Sequence, residues 1–216
     1  MTPEWYKDWY LELRTAGPRL SDEQMEASAR LATVLLCGEQ SAVRIFAAEV
    51  RRGRAPAEAL SALHAIEQDE QLHERALLDF CEYLPKPDGL HALKRRAQRF
   101  FAELGRIDDM ARHFGQISHL DSVVCKIMWH IERSTVDKAS PLRLIATQIK
   151  QDEARHVGVS RRYAASLGLA SKRRDEDRIR VSERMIDMLD PLTAAFETVG
   201  VDSDRLFASI RKSKSP

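Results

Sequence analysis

The sequence predicts an all-α protein built on a four-helix bundle: two helical hairpins joined by a crossover, with an N-terminal segment and extra C-terminal helices. Three observations predict it. Apolar residues recur at helical spacing through four long segments, each bounded by capping or breaking residues. Only 9 Gly and 8 Pro interrupt 216 residues, of which 44% are apolar and 31% charged, the balance of a helical globular chain. An acid followed some thirty residues later by Glu-x-x-His occurs in the first half of the chain and again in the second.

Residues 1–20 carry Trp5, Tyr6, Trp9 and Tyr10 and read as a short helix stopped by Gly17-Pro18, its aromatic rings packing on the bundle. Ser21-Asp22-Glu23-Gln24 is a capping box that opens a long helix to about Arg52. Leu31, Val34, Leu35, Ala42, Ile45 and Phe46 keep helical spacing around Glu39. Burying an unpaired acid on that stripe is costly, and a bound metal would relieve the cost. The second helix spans about Pro56 to Tyr83 and ends before Pro85-Lys86-Pro87-Asp88-Gly89. Leu90 to Met110, with Phe100, Phe101 and Leu104, is expected to be the crossover. A third bundle helix contains Ile117, Leu120, Val123, Val124, Ile127, Met128 and Ile131, apolar almost all round, so Cys125 and Trp129 are expected in the core; Gly105 and Gly115 both permit a kink and leave its start open. Ser140 as N-cap and Pro141 as the first helical residue open the fourth, which ends near Gly168. Beyond Ser171, Lys172 to Arg178 reads as a mixed-charge helix surface, followed by an apolar stripe of Met185, Ile186, Met188 and Leu189 that Asp190-Pro191 breaks. A last helix from Ser203 to Lys212 precedes a loose basic tail. Residues 1–216 are expected to form one domain, with the bundle at about 21–168 and a helical extension at about 171–212.

The chemistry lies in the repeat. Gln68-Asp69-Glu70 is followed by His73, and Gln151-Asp152-Glu153 by His156. Residues three apart on a helix share a face, with Cβ atoms about 5–6 Å apart, so each pair can chelate a metal. Chance alone would give roughly 0.55 Glu-x-x-His pairs from 17 Glu and 7 His, whereas two occur, both preceded by Gln-Asp. Glu39 lies 31 residues before Glu70, and Asp121 lies 32 before Glu153. The segments around Glu39 and Asp121 also align, each placing a base and then Ile downstream of the acid, which indicates a duplicated helical hairpin. Gly53-Arg54-Ala55-Pro56 sits near the midpoint between Glu39 and Glu70, so folding there brings the two acids to the same height.

This pattern resembles the ferritin-like di-iron carboxylate proteins, which include rubrerythrins, ribonucleotide reductase small subunits, bacterial multicomponent monooxygenases, acyl-carrier desaturases and ubiquinone-biosynthesis hydroxylases. The resemblance covers roughly residues 21 to 166, and the run Asp152-Glu153-Ala154-Arg155-His156 is similar to the form common in the oxygen-activating branch. It implies a ferritin-like bundle in which Glu39, Glu70, His73, Asp121, Glu153 and His156 are both metal ligands and the catalytic set, with Glu70 and Glu153 bridging. Most members carry Glu where this chain offers Asp121, and Glu132 is the competing acid. The resemblance also implies that Asp69 orients His156 and that Asp152 orients His73.

Four carboxylates and two imidazoles suit two iron ions cycling between Fe2+ and Fe3+, although ligand type does not separate Fe from Mn. The expected function is therefore a non-haem di-iron oxidase or oxygenase that uses O2 to oxidise or hydroxylate a small organic substrate, with an external electron donor if it is an oxygenase. Two alternatives stand beside it: a ferritin- or rubrerythrin-like ferroxidase or peroxide scavenger, and a non-catalytic helical partner-binding protein. No Cys-x-x-Cys pair is present to support the rubrerythrin alternative. A net charge of +1 argues against nucleic acid and anionic membranes as partners. Three scattered Cys make no disulfide framework and suggest a reducing cytoplasm. No signal-like apolar core and no run near ~20 apolar residues is expected. The C-terminal helices are expected to pack on the bundle or on a second subunit of a homodimer.

Overall fold

The computed structural model describes residues 3–53, 55–107 and 109–212, and among them every regular element is helical. In chain order they are α1 (Glu4–Ala16), α2 (Asp22–Arg52), α3 (Ala57–Glu82), α4 (Leu90–Leu104), α5 (Met110–Glu132), α6 (Pro141–Ser166), α7 (Ser171–Leu189), α8 (Thr193–Thr198) and α9 (Ser203–Arg211).

The starts of α2, α5, α6 and α9 follow from side chains that satisfy their first free amides. Ser21 Oγ accepts from the Gln24 N–H at 3.2 Å while Gln24 Oε1 accepts from the Ser21 N–H at 3.1 Å, closing the capping box of α2. Asp109 and Asp202 cap α5 and α9 at 3.1 and 2.8 Å, and Ser140 caps α6 ahead of Pro141. At Asp190-Pro191 the helix does not simply break as expected. A 3-10 turn at Asp190–Leu192 leads directly into the short α8, because proline is tolerated in the first turn of a helix.

α2 packs against α3, α5 against α6, and α3 against α6, so the two hairpins form a helical bundle. α4 lies on α2 and α7; α1 lies on α3 and α6; α8 lies on α2. Trp9 fixes the placement of α1, its indole N–H donating to the Pro141 carbonyl at 3.0 Å. Two apolar layers result. One contains Phe46, Leu63, Ile66, Phe114 and Ile117; the larger contains Val34, Leu77, Phe80, Ile127, Ile131, Ile145 and the apolar face of α7 to α9. On all four bundle helices the acidic and histidine residues of the repeat fall between these two layers.

Three expectations need correction. Trp129 is 42% exposed and carries Arg133 over its ring, because it shares the outer side of α5 with the exposed Arg133 while Ile127, Met128 and Ile131 take the buried side. α2 contains an 18-residue window of mean hydropathy 1.3, apolar and long enough by composition to cross a membrane. That apolarity is used here in packing against α3, α4 and α8. Asp177, within the expected mixed-charge surface, is buried instead. The loose basic tail beyond Lys212, like Arg54 of the first hairpin turn, lies outside the described residues.

Asp177 joins α7 to α5. The Arg112 guanidinium donates to it through Nε and Nη2 at 2.7 to 3.1 Å, and Arg180 adds a bond at 2.6 Å. Burial pushes the Asp177 carboxyl up, but Arg112 outweighs it and holds the pKa below the ordinary carboxylate value. A depressed pKa contributes stability that is present above the unfolded value and lost as pH falls through the folded one. Asp177→Ala is expected to cost about 3 kcal/mol at neutral pH by stranding Arg112. In melting experiments, the gap between variant and parent should close as pH drops below about 4.

Candidate metal centre

Each repeat residue reaches the bundle interior because its helix is apolar on either side of it. Glu39 follows the buried Val34 and Cys37 on α2; Glu70 and His73 lie between Ile66 and Leu77 on α3; Asp121 lies between Ile117 and Val123 on α5; Glu153 and His156 follow Ile149 on α6. All six are buried, the two histidines completely.

Glu39, Glu70, His73 and Glu153 converge most tightly, with one potential ligand atom from each lying within 4.8 Å of the others. This buried group can hold a metal ion. His156 stands beside it, with Nδ1 at 3.1 Å from Glu70 Oε1 and 3.7 Å from Glu153 Oε1. Glu39, Glu70, Asp121 and Glu153 line one cavity, and Asp121 Oδ2 is buried with no hydrogen-bond partner. Glu132 is elsewhere. It receives Lys150 Nζ at 2.5 Å and the Thr147 hydroxyl, near the α5–α6 loop, so Asp121 is the third acid that faces the cavity.

The outer nitrogen of each histidine is held across the hairpins. His73 Nε2–H donates to Asp152 at 3.1 Å and His156 Nε2–H donates to Asp69 at 3.2 Å. A donor at Nε2 leaves the Nδ1 lone pair facing inward. There no hydrogen bond closes on either Nδ1, although Glu39, Glu70 and Glu153 oxygens stand 3.1 to 4.0 Å away. Two lone pairs aimed at carboxylate oxygens in a water-poor interior repel unless a cation or a proton lies between them.

The electrostatics agree. Burial, then the charge of Glu70, pushes the Glu39 carboxyl well up. Burial and the Glu153 charge do the same to Asp121. Burial pushes the Glu70 carboxyl up, but the imidazoles of His156 and His73 facing it outweigh burial, and its pKa falls below the ordinary value. Burial opposes charging of His156, yet Asp69, Glu153 and Glu70 push its pKa up to about 12. The cavity therefore carries a strong demand for positive charge, which protons or a bound cation could each meet.

The sequence pointed to these residues, but not to the one that ties the outer pair together. Arg155 Nη2 donates to Asp69 at 2.6 Å and to Asp152 at 3.0 Å, clamping both histidine supports at once. Its position three residues after Asp152 is a helical contact; its reach to Asp69 is tertiary. Gln148 adds a bond to Asp152 at 2.9 Å. Asp69→Ala and Asp152→Ala are each expected to weaken metal affinity by about 10 to 100-fold, read by competition with a chromogenic chelator.

Cys125 is half-buried with its thiol near the Lys150 carbonyl, and burial followed by the Glu153 and Asp121 charges pushes its pKa up to about 12. It is an inert filler. Tyr163 lies in the other layer, donating to Glu49 at 2.8 Å and packing edge-on against Phe114. His119 is buried and bonded to Ser182.

No protein-family model matches this chain, and no curated protein or solved structure does, so the functional reading rests on the residues themselves.

Proposed function

We propose that this chain is a ferritin-like di-iron carboxylate protein that uses O2 to oxidise or hydroxylate a small organic substrate. The observation that supports it most is the pair of inward, unbonded histidine nitrogens beside Glu39, Glu70 and Glu153, with the buried Asp121 lining the same cavity. That donor set matches two first-row ions, and four carboxylates balance the charge of two dications. Glu39, Glu70, His73, Asp121, Glu153 and His156 would hold them, with Asp69, Asp152 and Arg155 fixing the imidazole tautomers. Bound iron would supply the electrons and the open coordination positions for O2. The paired hairpins α2–α3 and α5–α6, with α4 between them in sequence, suit the ferritin-like topology.

The cavity beside the acids favours substrate oxidation over metal storage. About 60 Å3 in volume, it has the four acids on one side and Val34, Leu35, Phe101, Leu120, Val124 and Met185 on the other. Such walls exclude solvent and admit an apolar group next to the metals. An oxygenase of this kind needs an external electron donor.

Iron loading tests the reading. About two irons per chain are expected, with a transient visible absorption when the reduced protein meets O2. Failure to retain any iron or manganese would overturn it.

A further inference from the structure

Five arginines line one open groove of about 630 Å3 between α2, α4 and α7: Arg30, Arg95, Arg96, Arg99 and Arg184. Only Glu103 and Asp187 oppose them there. Arg184 is paired with Glu103 at 2.5 Å, whereas Arg30 and Arg96 bond to the carbonyls of Asp88 and Asp187 at 3.0 and 2.5 Å. Carbonyl bonds hold a guanidinium in place without cancelling its charge, so the groove keeps a net positive field aimed at an anion.

This groove adjoins the apolar cavity of the metal centre. Met188 lines both, and Phe100 and Phe101, packed edge to face at 5.0 Å, line the groove and the cavity respectively. On α2, Arg30, Val34 and Gly38 follow one another at four-residue spacing along a single stripe, from the groove to the cavity wall beside Glu39. The nine helical steps from Arg30 to Glu39 rise about 13 Å, the reach of an extended alkyl chain of roughly ten carbons.

We propose that the protein binds a single-chain amphipathic anion, its carboxylate or phosphate head on the Arg95 and Arg99 side of the groove and its apolar chain passing Phe101 and Met188 toward the buried acids. The inference deepens the oxygenase reading by naming its substrate class, and rests on that reading only for what happens at the inner end. Methionines suit such a passage, since their unbranched thioethers repack at low cost around a guest chain.

Calorimetric titration of the metal-free and the iron-loaded full-length protein with decanoate, decyl phosphate, decanol and acetate tests it. Decanoate or decyl phosphate should bind one per chain, at least about ten-fold tighter than decanol and acetate, and the better of the two identifies the head group. The double variant Arg95→Glu, Arg99→Glu, confined to exposed side chains, should lose about ten-fold for the anion and little for decanol. Equal binding of decanol and decanoate, no gain from acetate to decanoate, or an unchanged double variant would each overturn the proposal. Because the titration also uses metal-free protein, anion binding without iron retention would sink the di-iron reading alone. Iron retention without anion binding would sink this inference alone.

Discussion

Asp121→Asn is expected to raise the melting temperature of the metal-free protein while abolishing most of the stabilisation that metal gives. In the metal-free state Asp121 is buried, has an oxygen without a hydrogen-bond partner, and faces Glu153. Its raised pKa means that the folded state binds a proton more tightly than the unfolded chain. Stability therefore falls as pH rises from about 4 toward the folded value. Removing that charge should return about 1–2 kcal/mol at neutral pH, a rise of roughly 2–8 °C for a chain of this size. The parent protein should gain more from metal: about 4 kcal/mol at free metal a thousand-fold above Kd, or roughly 8–16 °C. Differential scanning calorimetry with and without iron separates the two effects. A variant less stable than the parent without metal, or equally stabilised by it, would show that Asp121 serves packing rather than metal. This opposition, stability lost so that charge can be concentrated, is the mark of a functional site.

Gly200→Ala is expected to damage the fold far from that centre. Gly200 has φ +78°, and a Cβ there would lie 2.0 Å from Thr135 Oγ1 and 2.7 Å from the Thr135 backbone nitrogen. The hydroxyl can rotate, but the backbone cannot yield without moving the α5–α6 loop that Thr135 belongs to. A loss on the order of 3 kcal/mol or more follows, about 6–12 °C in melting temperature. Gly168→Ala is the control. Its φ is +90° with nothing within 4 Å of the added carbon, so it should lose only the left-handed conformational term of about 1 kcal/mol. Equal losses in the two variants would show that the turn before α9 is not docked on the α5–α6 loop.

The sequence alone determined what is written in local pattern. The capping box at Ser21, the Ser140-Pro141 start and the apolar spacing of the bundle helices depend on neighbours within one turn, and α2, α3 and α6 form within a few residues of the expected bounds, whereas the start of α5 at Met110 was not legible. The residues of the buried carboxylate and histidine group were legible because Glu-x-x-His is itself a helical contact, and its repetition with an upstream acid placed one such contact on each hairpin. The crossed support of His73 by Asp152 and His156 by Asp69 was also readable, through resemblance.

Tertiary structure alone decided the rest. Whether Asp121 or Glu132 turned inward depended on Lys150, a residue of α6 that neutralises Glu132 near the loop. Arg155 became a clamp because α3 brings Asp69 within its reach. Asp177 was buried because Arg112 of α5 meets it, a pairing of residues 65 positions apart. The cavity walls come from α2, α4, α5 and α7, where Phe101 and Met185 carry no mark in sequence that separates a pocket wall from ordinary core. Spacing along a chain reports which residues share a helix face. Only the packing of that face against other helices gives a buried charge its partner, or leaves it waiting for a metal.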